Sequence, residues 1–215
     1  MATLKVIRKR IGSVRNTQQI TKAMKMVSAA KLRRAQEAAV QARPYAEKMT
    51  ELLKNVAARV ANEAHPLLTP REEKKVQLVL FTSDRGLCGG YNANLIRAAE
   101  AFIRQQAGDR EIELTLVGRK GGDHFRRRGA KIADRYVDIL YKAADELAGE
   151  IAQKLISRFV GGEVDAVYVV YSRFRSALSQ VPTLEKLLPV ALAQTDAAQA
   201  QQQTEYLYEP GVAQL

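Results

Sequence analysis

KVQLVLFTSDRGLCGGYNANLIRAAEAFI, residues 75–103, changes its hydrophobic period within a single stretch. Val76 to Thr82 is a continuous apolar run suited to a buried strand, and Ser83 to Tyr91 is a glycine-rich turn. Beyond it Leu95, Ile96, Ala99, Phe102 and Ile103 share one face of a helix. A strand fed through a tight turn into an amphipathic helix opens a β-α-β unit, and the residues downstream repeat the pattern. Ile112 to Val117 reads as the next strand, Lys120 to Arg128 as a basic helix and Ile132 to Tyr136 as a short strand. A helix carrying Leu147, Ile151, Leu155 and Phe159 follows, then a buried strand from Ala166 to Tyr171. This alternation predicts an α/β fold: a mostly parallel sheet with helices on both faces, joined by right-handed crossovers. The tail from Val181 to Tyr208 reads as less regular, with Gln199 to Gln203 as a polar break.

A Rossmann-like sheet raises the question of a nucleotide. The turn Ser83 to Tyr91 lies where a phosphate loop would, at a helix amino terminus. Its glycines, Gly86, Gly89 and Gly90, do not give G-x-G-x-x-G, and no Lys-Ser or Lys-Thr follows as a Walker loop needs. Gly118, Gly121 and Gly122 fit neither pattern. The reading is a tight turn that uses glycine for backbone geometry, with no cofactor. Asp84 beside Arg85 reads as a local turn pair. Cys88 has no base evident in sequence, and His124 belongs to the basic helix without a motif around it. With one cysteine and two histidines, His65 and His124, there is no intramolecular disulfide and no spaced metal-ligand cluster. No catalytic set emerges. A Rossmann-like enzyme with a degenerate loop stays open as the weakest alternative.

The other half of the argument lies upstream. The first 43 residues carry eleven Lys and Arg against the single acid Glu37, so they hold +10 of the chain's +11 formal charge. From Leu4 to about Ala61 only Gly12 and Pro44 disfavour a helix. At 1.5 Å per residue such a helix would be a rod roughly 85 Å long, too long to lie inside a 23.9 kDa globule. Leu4, Ile7, Ile11 and Val14 alternate by three and four, the spacing of a helix wound against another helix. Tyr45, Met49, Leu52 and Val56 resume that rhythm beyond Pro44, while Gln18 and Thr21 soften it between. About a dozen such side chains at ~1.5–3 kcal/mol each make exposure of the whole stripe untenable. Surface ion pairs contribute only ~0–1 kcal/mol, so the seam holds the rod and the charges orient it. An acidic partner is expected. Nucleic acid is the alternative, a basic nucleic-acid-binding regulator, but the first 44 residues contain no aromatic residue for base stacking.

The 47% apolar content fills one core, and His65 to Pro70 reads as a short linker that ends the rod. No signal peptide, transit sequence or run of eighteen apolar residues is present, so neither export nor membrane insertion is expected and cytoplasmic residence is the default.

Five segments carry a resemblance: ITKAMKMVSAAKLRRAQ (Ile20 to Gln36), RPYAEKM (Arg43 to Met49), TSDRGLCGGYNANL (Thr82 to Leu95), SQVPTLEKLLP (Ser179 to Pro189) and EYLYEP (Glu205 to Pro210). Together they closely resemble the gamma subunits of F-type ATP synthases. The resemblance implies a non-catalytic rotor shaft at the cytoplasmic face of a bacterial inner membrane. Its amino-terminal helix (1–62) would be half of an antiparallel coiled coil inside a ring of three alpha and three beta subunits. A linker (63–74) and an α/β domain (75–210) would follow, contacting the epsilon subunit and the membrane ring of c subunits. Residue by residue, Met24 and Lys25, with Lys9, Arg10, Lys31, Arg33 and Arg34 as basic neighbours, are implied to face acidic lever loops of the beta subunits. Arg43, Tyr45, Tyr206, Tyr208 and Glu209 are implied to form the foot at the c ring and epsilon. Family members continue into a long carboxy-terminal helix, of which residues 211–215 would be the start. The expectation is therefore a truncated or proteolysed chain. No metal, cofactor, nucleic acid or membrane insertion is implied.

Overall fold

The computed structural model describes residues 3–59, 65–106, 108, 110–139, 144–176 and 179–190. The chain divides into two compact units, Met1–Leu53 and Lys54–Leu215. The first consists of most of α1 (Leu4–Arg59), a single helix of 56 residues that passes through Pro44 without ending. Pro44 has no N–H to offer the Val40 carbonyl, so helix propensity on both sides carries the helix through the break.

The second unit is built on a five-stranded sheet of order β3-β2-β1-β4-β5. Its elements are β1 (Lys75–Phe81), α2 (Tyr91–Gln106), β2 (Glu111–Val117), α3 (Arg119–Arg127), β3 (Ile132–Tyr136), α4 (Ala144–Val160), β4 (Ala166–Phe174) and β5 (Gln180–Leu188). β1 is central and parallel to both β2 and β4, with Val76 opposite Ile112 on one side and Ala166 on the other. The alternation predicted from the sequence is present. The tail was expected to be irregular, and this is corrected: Gln180–Leu188 forms an antiparallel edge strand on β4, with Glu185 opposite Val169. Its pattern, Gln-Val-Pro-Thr-Leu-Glu-Lys-Leu-Leu, hides the strand because an edge strand buries little on either face and tolerates proline.

Residues of alternate parity on β1 feed two cores. Val76, Leu78 and Leu80 meet Leu95, Ala99 and Phe102 of α2 and Phe125 of α3. On the opposite face Val79, Val117 and Val167 meet Leu147, Ile151, Leu155 and Phe159 of α4. Two helices cover the first face and one covers the second, leaving an apolar groove of about 580 Å³ beside α4, lined by residues such as Phe81, Ile151 and Leu188. One residue breaks the apolar reading of β1: Gln77 is fully buried, and its Nε2 donates to Thr115 Oγ1 at 2.7 Å. That bond offsets part of the cost of placing an amide among aliphatic side chains.

Candidate functional site

Between Thr3 and Leu53 no residue of α1 is buried, and only Gln36 is even partly so. Leu4, Ile7, Ile11 and Val14 stand 68%, 49%, 49% and 61% exposed, and Tyr45 reaches 71%. At 100° per residue these first four side chains form one narrow stripe, with Lys5 and Lys9 behind it. A contiguous apolar stripe of this length marks a surface that meets another helix or protein. Arg33 pairs with Glu37 at 2.8 Å on the same helix. Lys9, Arg10, Lys25, Lys31 and Arg34 form no ion pair among the described residues. The hydroxyls of Thr17 and Thr21 donate back to the Ser13 and Thr17 carbonyls.

The turn after β1 caps the next helix but one, α3. An anion cradle needs free amides at a helix amino terminus. The first three amides of α3 are taken by three consecutive residues that trail β1. Arg119 N donates to Asp84 Oδ1 at 3.0 Å, Lys120 N to the Ser83 carbonyl at 3.1 Å, and Gly121 N to Thr82 Oγ1 at 3.0 Å. Asp84 Oδ2 also accepts from Ile139 N at 2.9 Å. Asp84, read from the sequence as a local turn pair with Arg85, thus reaches well beyond the turn. The carboxylate is the protein's own ligand, tying the ends of β1 and β3 to α3. At the start of α2 the Asn92 side chain ties the turn to the helix. Asn92 Oδ1 accepts from Ser83 N at 2.9 Å, and Asn92 Nδ2 donates to Ser83 Oγ at 2.9 Å and to Cys88 Sγ at 3.1 Å. Cys88 is exposed, with these neutral neighbours around it rather than a base.

Glycine is required at one place here. Gly118 has φ of +96°, and a Cβ on it would lie 2.2 Å from the Thr82 carbonyl oxygen. The close approach lets Thr82 cap α3. On the outer face His124 Nε2 lies 2.8 Å from Glu100 Oε1, with Arg128 3.3 Å away. The hydrogen bond to His124, aided by Arg128, holds the Glu100 carboxyl below its ordinary 4.5 despite partial burial. His124 thus lies against the Glu100–Arg128 ion pair. Among the described residues no cluster of His, Cys, Asp or Glu could hold a metal ion, and no helix is long and apolar enough to cross a membrane.

The structure gathers the sequence-derived candidates on one element. Lys9, Arg10, Met24, Lys25, Lys31, Arg33, Arg34, Arg43 and Tyr45 all lie on α1 and are all exposed, Met24 by 56%. Tyr206, Tyr208 and Glu209 lie outside the described residues, as do Gln199–Gln203 and residues 211–215. The triple cap by Thr82, Ser83 and Asp84 was missed in the sequence, because its partners sit 35 to 39 residues downstream and no local pattern marks them.

The profile of the ATP synthase family matches residues 3–215. The ATP synthase gamma chain of Syntrophobacter fumaroxidans is 50% identical over 213 residues, 98% of this chain and 73% of that protein. The gamma chain of Geobacter metallireducens is 49% identical over 216 residues, covering 100% of this chain and 74% of its own length. Among solved structures, a chain of the central stalk and c ring of the Tetrahymena thermophila mitochondrial ATP synthase superposes with a TM-score of 0.62 at 28% identity, over 79% of this chain and 72% of that one. A chain of the Euglena gracilis mitochondrial enzyme shares the fold, with a TM-score of 0.58 at 19% identity, over 84% of this chain and 55% of that one. A family match over residues 3–215 and identities of about half to gamma chains across nearly all of this sequence, borne by a long exposed helix and an α/β domain, settle the family: the chain belongs to the ATP synthase gamma-chain family.

Proposed function

We propose that this chain is the central-stalk, rotor-shaft subunit of an F-type ATP synthase, non-catalytic on its own, at the cytoplasmic face of a bacterial plasma membrane. Its partners in this reading are a ring of three alpha and three beta subunits around α1, with epsilon and the c ring at the foot. The observation that carries it is α1: 56 residues, apolar along a stripe, strongly cationic over its first three quarters, and exposed from Leu4 to Leu53 except at Gln36. An asymmetric axle changes the nucleotide affinity of three identical sites only by touching each differently. Moving one site from 1:99 to 99:1 between open and closed requires about 5.5 kcal/mol of differential contact. Long, screened cations such as Lys9, Arg10, Lys25, Lys31, Arg33 and Arg34 slide from one acidic lever to the next, whereas buried ion pairs would pin the axle at one angle. Met24 supplies an apolar contact among them. Arg43 and Tyr45, with Tyr206, Tyr208 and Glu209, form the foot.

Size-exclusion chromatography of the chain mixed with an alpha-beta ring tests the reading. Co-elution in a stoichiometric complex is the expected result. Tight, salt-sensitive binding to DNA with no co-elution would overturn it in favour of a nucleic-acid regulator.

A further inference from the structure

The segment expected to be a linker is bolted down. Interdomain linkers are ordinarily polar, exposed and crossed by few contacts. His65–Lys75 instead makes four separate attachments to the sheet and its last helix. Val190 N donates to the Leu67 carbonyl at 2.9 Å, and Leu67 packs on the α4-side core. Arg71 Nη1 donates to the Phe159 carbonyl at 2.8 Å while its guanidinium lies 4.6 Å from the Phe159 ring centre. Glu73 gathers donors from three places: Arg110 before β2 at 2.5 Å, Tyr168 on β4 at 3.0 Å and Lys186 on β5 at 2.7 Å. Asp165, at the start of β4, accepts from the amides of Lys74 and Lys75 at 3.1 and 2.7 Å. Upstream the strap begins in a turn: Leu68 N and Thr69 Oγ1 both donate to the His65 carbonyl, with Pro66 inside the turn and Pro70 following it.

We propose that residues 67–75 are a force-spreading strap, which distributes torque carried along the chain from α1 over the ends of β1, β2, β4 and β5 and over α4. The inference rests on the rotor-shaft reading. Without the attachments, tension arriving along the chain would act on the first residue of β1 and open its ladder one hydrogen bond at a time. With them, several charge-assisted bonds on different elements must yield together. Glu73 is the positioning residue at the hub, since its carboxylate joins three segments that are not neighbours in sequence.

The test uses the assembled rotary complex, with a bead tethered to exposed Glu146 on α4 (Glu146→Cys in a Cys88→Ser background) and the ring arrested without nucleotide. Angular fluctuation of the bead reports torsional compliance. Combining Arg71→Ala with Glu73→Ala removes two of four parallel attachments, so the angular variance should rise measurably, by up to about twofold where the strap dominates the compliance, since mean-square displacement scales inversely with stiffness. ATP hydrolysis should stay at the parental rate, a readout that general loss of folding would lower. Glu73→Gln, which keeps the shape and loses the charge, should widen the distribution less but in the same direction. Parental variance in an assembled double variant overturns the strap. If that variant does not assemble, parental variance in Glu73→Gln overturns it. A parental complex whose bead never turns with ATP overturns the rotor-shaft reading itself.

Discussion

Replacing Asp84 by alanine tests whether its carboxylate, shared by α3 and the end of β3, holds the domain together. The substitution removes the acceptor for Arg119 N at 3.0 Å and Ile139 N at 2.9 Å and leaves both amides without it. Hydrogen bonds to a charged group contribute about 1.5–3 kcal/mol each, and the Arg119 bond is exposed and so belongs at or below the low end. Loss of the negative charge at the start of α3 adds a few tenths of a kcal/mol. The expected cost is therefore about 2–4 kcal/mol, a large part of the ~5–15 kcal/mol that ordinarily separates folded from unfolded domains. Urea denaturation of the complete chain, followed by circular dichroism, measures it. With m of about 2 kcal/mol/M, the midpoint should fall by about 1–2 M. Asp84→Asn keeps one acceptor oxygen and should lose roughly half as much. An alanine variant whose stability lies within about 0.5 kcal/mol of the parent would show that the carboxylate merely sits beside α3.

Two glycines should respond in opposite directions. Gly118→Ala places a Cβ 2.2 Å from the Thr82 oxygen at positive φ and should cost more than about 3 kcal/mol, with little soluble chain recovered. Gly12→Ala meets nothing within 4 Å inside a helix and should raise the helical signal of the free chain, by about 0.5–1 kcal/mol of local stability. Glu113 lies 2.5 Å from Lys131 and 2.6 Å from Arg158, and these hydrogen bonds hold its carboxyl below the ordinary 4.5. A depressed folded value means that its stabilisation is complete above pH 4.5 and is lost as pH falls through the lower folded value. Glu113→Gln should accordingly lower stability at pH 7 and flatten the acid limb in a urea titration run at several pH values; an unchanged acid limb counts against the network. Met24→Lys adds a cation at an exposed position of α1 and should slow coupled turnover of the reconstituted enzyme. A synthesis-to-hydrolysis ratio equal to the parent would remove Met24 from the interface.

Period and charge were legible in the sequence. The switch from three-four spacing in α1 to apolar runs at β1, β2 and β4 reveals which segments are helices and which are strands, because burial repeats at the geometry of each element. The concentration of positive charge in the first 43 residues likewise needs no coordinates, and it marked α1 as a contact element. β5 was not legible, since an edge strand that is half exposed on both faces shows no alternation. Nor was the role of Asp84, whose two amide partners lie 35 and 55 residues away. The same holds for Glu73, which meets residues 37, 95 and 113 positions downstream. Local sequence determines periodicity because each element's own backbone sets the spacing of its faces. Which carboxylate meets which distant amide or cation is decided only when the crossovers bring strand ends together, and only the tertiary structure holds that information.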